Sequence, residues 1–388
     1  MIISRVADRH VSRRGTLSLA LVALLSSCGP PADSGPAAPA DAVPAFQVDP
    51  TWPQELPNDW ILGSVTGVFV DARDHVWITH LPETLTPEET SAVQDPPLGT
   101  CCVPAPMVLE LDPEGALVQA WGEWPVSGGP GEGDPERWPR NPHGIFVDHQ
   151  DFVWIGTYVH HRVMKFTRDG TLVMTIGEYD VTGGSDDPEL LGGPAGIWVD
   201  PATNEVFVAD GYRNRRVVVY DGETGAYLRH WGAYGEPPLD DYDFGERDPA
   251  GPPPRAFSTV HGLVGSNDGL VYVADRRGNR IQVFRQDGTF LEEQVIAPET
   301  RASGSAFVIA LSPDPEQRWL YLADGTNHKV WVLARESLEV VGEVGRGGRQ
   351  IGQFLRPHGM DVDSRGNLYV GEASTGRRVQ RFTLAGGR

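Results

Sequence analysis

Lysine is almost missing from this chain: Lys165 and Lys329 are the only two in 388 residues, and 32 basic side chains face 53 Asp and Glu, for a net charge of −21 at pH 7. With positive charge so sparse and so interspersed with acid, no face can track phosphates, which excludes nucleic acid as a partner. Cysteine is as scarce. Cys28, Cys101 and Cys102 cannot build a disulfide framework, and two adjacent cysteines without a second pair make a weak metal motif. The neighbours Cys101 and Cys102 are either two thiols or, in an oxidising compartment, a vicinal disulfide. Long apolar runs are lacking too: the stretch Leu17 to Leu25 falls well short of the ~20 residues that span a bilayer. What is plentiful is glycine (46) and proline (33), spread along a chain that is 40% hydrophobic. Many tight turns around a full core point to an all-β architecture.

The first 27 residues read as an export signal. Arg5, Arg9, Arg13 and Arg14 precede the apolar run, which ends in Leu25-Ser26-Ser27-Cys28. That ending resembles the lipobox of bacterial lipoproteins and makes Cys28 the expected lipidation site, and Ser12-Arg13-Arg14-Gly15-Thr16-Leu17 is similar to a twin-arginine signal. The expected location is therefore outside the cytoplasm, anchored to a membrane through the N-terminal lipid and facing the periplasm or cell surface. Residues 28–44, rich in Pro, Ala and Gly, read as an extended tether. Removing four arginines and Asp8 with the signal leaves the remainder near −24.

From residue 45 to 388 one pattern recurs six times. A β-rich run opens on Gly, turns, continues through a second run with aromatic and β-branched residues, and passes Arg or Lys into a third. The copies begin near Thr66, His143, Ala195, His261, Phe307 and His358, and a fourth apolar run follows most of them, as at 171–176, 226–231 and 338–344. A four-stranded unit cannot cover both its faces, and six arranged radially cover each other. The last copy stops after its third run, so the segment from Phe46 to Trp52 is expected to supply the missing strand. Insertions at 81–106, 123–141, 178–193 and 233–259 sit in loops, where they are expected to crowd one or both ends of the disc.

Histidine opens repeats two, four and six (His143, His261, His358), while Thr66, Ala195 and Phe307 stand at or beside that position in the others. Equivalent positions in alternate blades lie about 120° apart around the axis, so three imidazoles can meet at one point. Such a site suits zinc, leaving a position open for water or substrate, although manganese, iron or cobalt take the same ligands. The remaining histidines lack this alternation and read as turn or surface residues. Tyr212 and Arg276 occupy second-strand ends, following the recurrent Ala-Asp of Asp210 and Asp275, and differ between repeats. The Asp residues themselves, with Asp324, read as structural.

Asn214-Arg215-Arg216-Val217 and Asn279-Arg280-Ile281 resemble the NHL repeat signature. Pro142-His143-Gly144, Val260-His261-Gly262, Pro357-His358-Gly359, Asp210-Gly211-Tyr212 and Ala274-Asp275-Arg276 together resemble the motifs of the peptidylglycine alpha-amidating lyases. These are six-bladed NHL propellers that cleave a peptidyl alpha-hydroxyglycine to a peptide amide and glyoxylate. The resemblance implies zinc on His143, His261 and His358, Tyr212 as base, Arg276 on the carboxylate, and a second catalytic arginine at Arg73, one residue off register. The Asp that follows the third His in the animal enzymes and associates with calcium is Gly359 here, which leaves calcium without that ligand. Their Cys after the catalytic Tyr is Arg213. The expected substrate is small or peptide-like. The competing expectation is a surface-anchored propeller without catalysis, binding a protein or ligand through its acidic insertions.

Overall fold

The computed structural model describes residues 42–122, 138–245 and 248–385. The signal segment, Cys28 and most of the tether lie outside the described residues, as do positions 123–137 of one insertion. Among the described residues no helix is long and apolar enough to cross a membrane.

Six four-stranded antiparallel sheets form the blades, with one short parallel pair, Trp60–Ile61 against Val103–Pro104, beside them. Blades 1 to 5 occupy residues 64–121, 142–176, 194–231, 260–295 and 308–344, and blade 6 combines 357–384 with the strand Phe46–Val48. This is the six-bladed propeller that the repeats predict. The closing strand falls where expected: Phe46 pairs with Leu384 and Val48 with Phe382, antiparallel. Beyond it Asp49 meets Arg381 at 2.5 Å, and Trp52 packs edge-on against Tyr369.

Each strand's pattern reflects its depth in the blade. Second strands such as Val153–Thr157 are buried throughout, because neighbouring blades cover both faces, and so read as nearly continuous apolar runs. Outermost strands such as Leu172–Ile176 alternate, since one side meets water. The core is therefore divided into six apolar clusters, one at each junction between blades. Trp198, Phe207 and Val219 of blade 3, for example, pack against Phe257, Leu263 and Phe284 at blade 4. Burying each such side chain stabilises the ring by about 2–3 kcal/mol.

The glycine that opens five of the six inner strands has a steric cause. A Cβ on Gly144 would lie 2.0 Å from the Ala195 carbonyl oxygen, one on Gly262 2.8 Å from that of Phe307, and one on Gly359 2.7 Å from the Val68 nitrogen. Inner strands converge so tightly near the axis that a side chain there would strike the next blade's backbone. In the same five blades the register slips by one residue at this point. Blade 5, with Val308 in place of glycine, is regular. A bulge re-aims the side chain at its position, and in blades 2, 4 and 6 that side chain is histidine.

Candidate active site on the propeller axis

The three histidine rings form a near-equilateral triangle, with centroids 4.7, 4.7 and 4.8 Å apart. All are buried, and one nitrogen from each comes within 4.8 Å of the others. Their outer nitrogens are tied to the neighbouring blades. His261 Nδ1 donates to the Phe307 carbonyl at 2.8 Å and His358 Nδ1 to the Thr66 carbonyl at 2.9 Å. His143 faces the corresponding Ala195 carbonyl, which acts on its charge, though its Nδ1 does not reach hydrogen-bond geometry. The odd-numbered blades thus supply a carbonyl where the even-numbered ones supply a ring. Donation from Nδ1 fixes the tautomer and turns the Nε2 lone pair inward.

Burial, then the mutual proximity of the rings and of Arg276, holds all three histidines neutral. His143 and His261 lie well below the ordinary value and His358 falls to about 3. Three neutral imidazoles with inward Nε2 atoms are a donor set that fits a zinc ion, and the site could hold one.

The Tyr212 hydroxyl lies 2.9 Å from His143 Nε2 and 3.2 Å from His261 Nε2, and Arg276 donates to it at 3.1 Å. Burial pushes the Tyr212 phenol up, while the Arg276 charge pulls it down. The turn bearing Tyr212 is set by Asp210, fully buried, which accepts from Gly192 N–H, Asn214 and Arg216. Asp275 does the same before Arg276, accepting from Ser258 and Thr259 N–H and pairing with Arg280. These carboxylates brace the loops entering the inner strands, which is the structural role their recurrence suggests.

Two neighbours escape the sequence reading. Tyr158 follows its blade's second strand as Tyr212 does, and its ring lies 5.3 Å from His143 and 4.8 Å from Tyr212. Arg356, two residues before His358, stacks over the Phe307 ring at 5.4 Å, the ring that Arg276 approaches at 5.1 Å. Among the described residues neither Arg276 nor Arg356 enters a carboxylate ion pair, whereas the nearby Arg216 and Arg280 do. Arg276 Nε is buried without a partner. Two guanidiniums without a carboxylate partner among the described residues, beside the histidines, could hold an anion.

Arg73 is not part of this group. It sits in the turn that leaves the inner strand of blade 1, at the opposite end of the blade from the histidines, and pairs with Asp151 at 2.5 Å. The nearby set Asp71, His75 and Glu110 converges as a metal site would, but Arg168 lies between the two carboxylates and supplies the cation. Cys101 and Cys102 are joined to each other by a disulfide within the blade 1 insertion. His80 departs from the expected surface location: it is fully buried, accepting from Gly63 N–H and meeting the Pro106 carbonyl at 2.9 Å.

The class defined by fold and site is a six-bladed propeller with three histidines on its axis. Residues 257–284 match the NHL repeat family model. The chain is similar to the peptidyl-glycine alpha-amidating monooxygenase of Mus musculus, 26% identical over 349 residues, covering 86% of this chain and 32% of that protein. It is also similar to peptidyl-alpha-hydroxyglycine alpha-amidating lyase 1 of Drosophila melanogaster, 28% identical over 353 residues, covering 85% and 58%. NHL repeat-containing protein 3 of Mus musculus is 25% identical over 355 residues, covering 87% and 84%. The chain thus spans about a third of the mouse monooxygenase and just over half of the fly lyase.

Proposed function

We propose that this propeller is a metal-dependent carbon–nitrogen lyase that splits an alpha-hydroxyglycine terminus into an amide and glyoxylate. The observation that carries the reading is the meeting of three neutral imidazoles, one phenol and two unpaired guanidiniums at one end of the axis. His143, His261 and His358 would hold zinc, which when bound supplies Lewis-acid charge beside the Tyr212 oxygen.

The substrate carboxylate docks on Arg276 and Arg356, whose planar forks donate to it bidentately. Tyr212 then stands next to the substrate hydroxyl. Its phenolate takes the hydroxyl proton, the oxygen electrons form the aldehyde C=O of glyoxylate, and the C–N bond breaks. The leaving nitrogen takes that proton back from the Tyr212 hydroxyl and departs as the amide, which returns Tyr212 to the phenolate. A phenol raised by burial is a poor base at neutral pH, so the reaction depends on cationic neighbours, and Arg276 is one already in place.

The export signal and Cys28 lipid anchor belong to the same proposal: an enzyme held at a membrane outside the cytoplasm. Incorporation of labelled palmitate, abolished by Cys28→Ala, supports it; equal labelling of the variant contradicts it.

The decisive experiment for the activity is elemental analysis of protein purified without a histidine tag, followed by glyoxylate assay on an alpha-hydroxyglycine peptide. About one zinc per chain and glyoxylate release that Tyr212→Phe lowers by at least ~100-fold are expected. Zinc far below one equivalent, with His143→Ala behaving as the parent, would end the reading.

A further inference from the structure

Beside the axial site opens a groove whose charge reverses that of the chain. It encloses about 840 Å³ and has Tyr212 in its wall, a size suited to a small ligand or a short peptide. Arg213, Arg215, Arg277 and Arg301 line it, with Phe244 and a proline-rich wall from residues 249–254. Its lining acid is Asp248, whose carboxylate accepts from Ala250 N–H of its own loop. Among the described lining residues four arginines stand against one acid, the reverse of a chain with 32 bases and 53 acids.

Three of these arginines, Arg213, Arg215 and Arg301, are placed without a carboxylate partner among the described residues. Arg215 donates to the backbone carbonyls of Asp240 and Phe257 and stacks on Phe244 at 4.6 Å. Carbonyl partners fix a guanidinium and leave its charge intact. Arg213 and Arg301 are exposed and, among the described residues, pair with no carboxylate. Aromatic and proline walls favour an extended chain over a flat surface, and each guanidinium can grip a carboxylate by two bonds.

We infer that this groove binds an acidic peptide segment, the portion of the substrate that precedes the cleaved terminus. The inference rests on the proposed lyase activity for which end of the peptide lies at Tyr212; binding itself does not require turnover. An acidic ligand must overcome the repulsion of a net −21 chain, so affinity should come from the local arginines and weaken with salt.

The test uses fluorescein-labelled tetrapeptide amides, which lack alpha-hydroxyglycine, titrated by anisotropy against the full protein. The peptides carry three glutamates, three glutamines or three lysines. The glutamate peptide is expected to bind at least ~10-fold tighter than the glutamine one at low salt. Arg213→Gln with Arg301→Gln should remove most of that preference, and the paired Lys substitutions should restore part of it, with unchanged melting temperatures as the control for folding. Equal binding of the glutamate and glutamine peptides overturns the inference. So does a preference untouched by the double substitution, or capture by phosphatidylglycerol vesicles without peptide binding. Acidic preference without glyoxylate release sinks the lyase alone, and glyoxylate release without acidic preference sinks the groove alone.

Discussion

Arg356 shows what a single side chain adds at this site. Its backbone sits at φ 59°, a left-handed conformation that costs a non-glycine residue about 1–2 kcal/mol. It is held there by donation of its N–H to His328 and acceptance from Ala373 N–H. Burial and the like charge of Arg276 push its guanidinium pKa down, a tension that a bound carboxylate relieves. Arg356→Gln should therefore raise KM for the proposed hydroxyglycine substrate by roughly tenfold or more, the worth of a charged hydrogen bond, and lower kcat less. Metal content should not change, and a purely structural role would move melting temperature and not KM. His80 gives a prediction of another kind. Burial lowers its pKa from 6.5 to about 4, so the unfolded chain takes up the proton first. Its stabilisation is complete above pH 6.5 and is lost as pH falls toward 4. Denaturant titrations between those limits should show a shallower acid loss for His80→Gln than for the parent.

At the scale of strands, the bulged glycines are the parts most exposed to substitution. Gly144→Ala drives a Cβ to 2.0 Å from a backbone oxygen, whereas Gly196→Ala meets its nearest atom, in Gly262, at 3.1 Å. The first should cost about 3 kcal/mol and weaken uptake of added zinc, the second clearly less, both read from urea unfolding and zinc titration. The closing strand is short, yet it covers the edge of Val379–Leu384. Deleting residues 45–53 should lower the melting temperature by several degrees and expose that edge to pairing between molecules. An unchanged melting curve would contradict this role.

Across the whole molecule, repetition decided what could be read from sequence. The alternation of His143, His261 and His358 is visible because six copies give each position a comparison, and the convergence of those rings follows from ring closure. Tyr158 was within reach of the same reasoning, since it ends a second strand as Tyr212 does. Arg356 was not: Asn141 and Thr259 stand at its position in the other histidine blades, and nothing in the residue types says that a left-handed backbone turns it inward. Arg73 fails for the converse reason. It was placed by resemblance alone, and in its own repeat it precedes the second strand, Val76–Leu81, where Tyr212 and Arg276 follow theirs. His80 looks like a surface residue because its partners, Gly63 and Pro106, are far from it in sequence. Metal at the axis should also stabilise the whole ring by mass action, so a chelator should lower the melting temperature of the native protein and leave that of His261→Ala unmoved.

One of the three imidazole supports differs from the others in what it joins. His358 leans on Thr66, linking residues 292 positions apart across the junction of the last blade with the first, while His261 leans on a carbonyl 46 positions away. The three-histidine set is in this sense a clasp, and one of its links lies next to the strand Phe46–Val48 that closes the ring. Loosening of that closure should reach His358 before the other two imidazoles, so release of a zinc ion loaded onto the three rings should report opening of the ring before the blades themselves lose their strands.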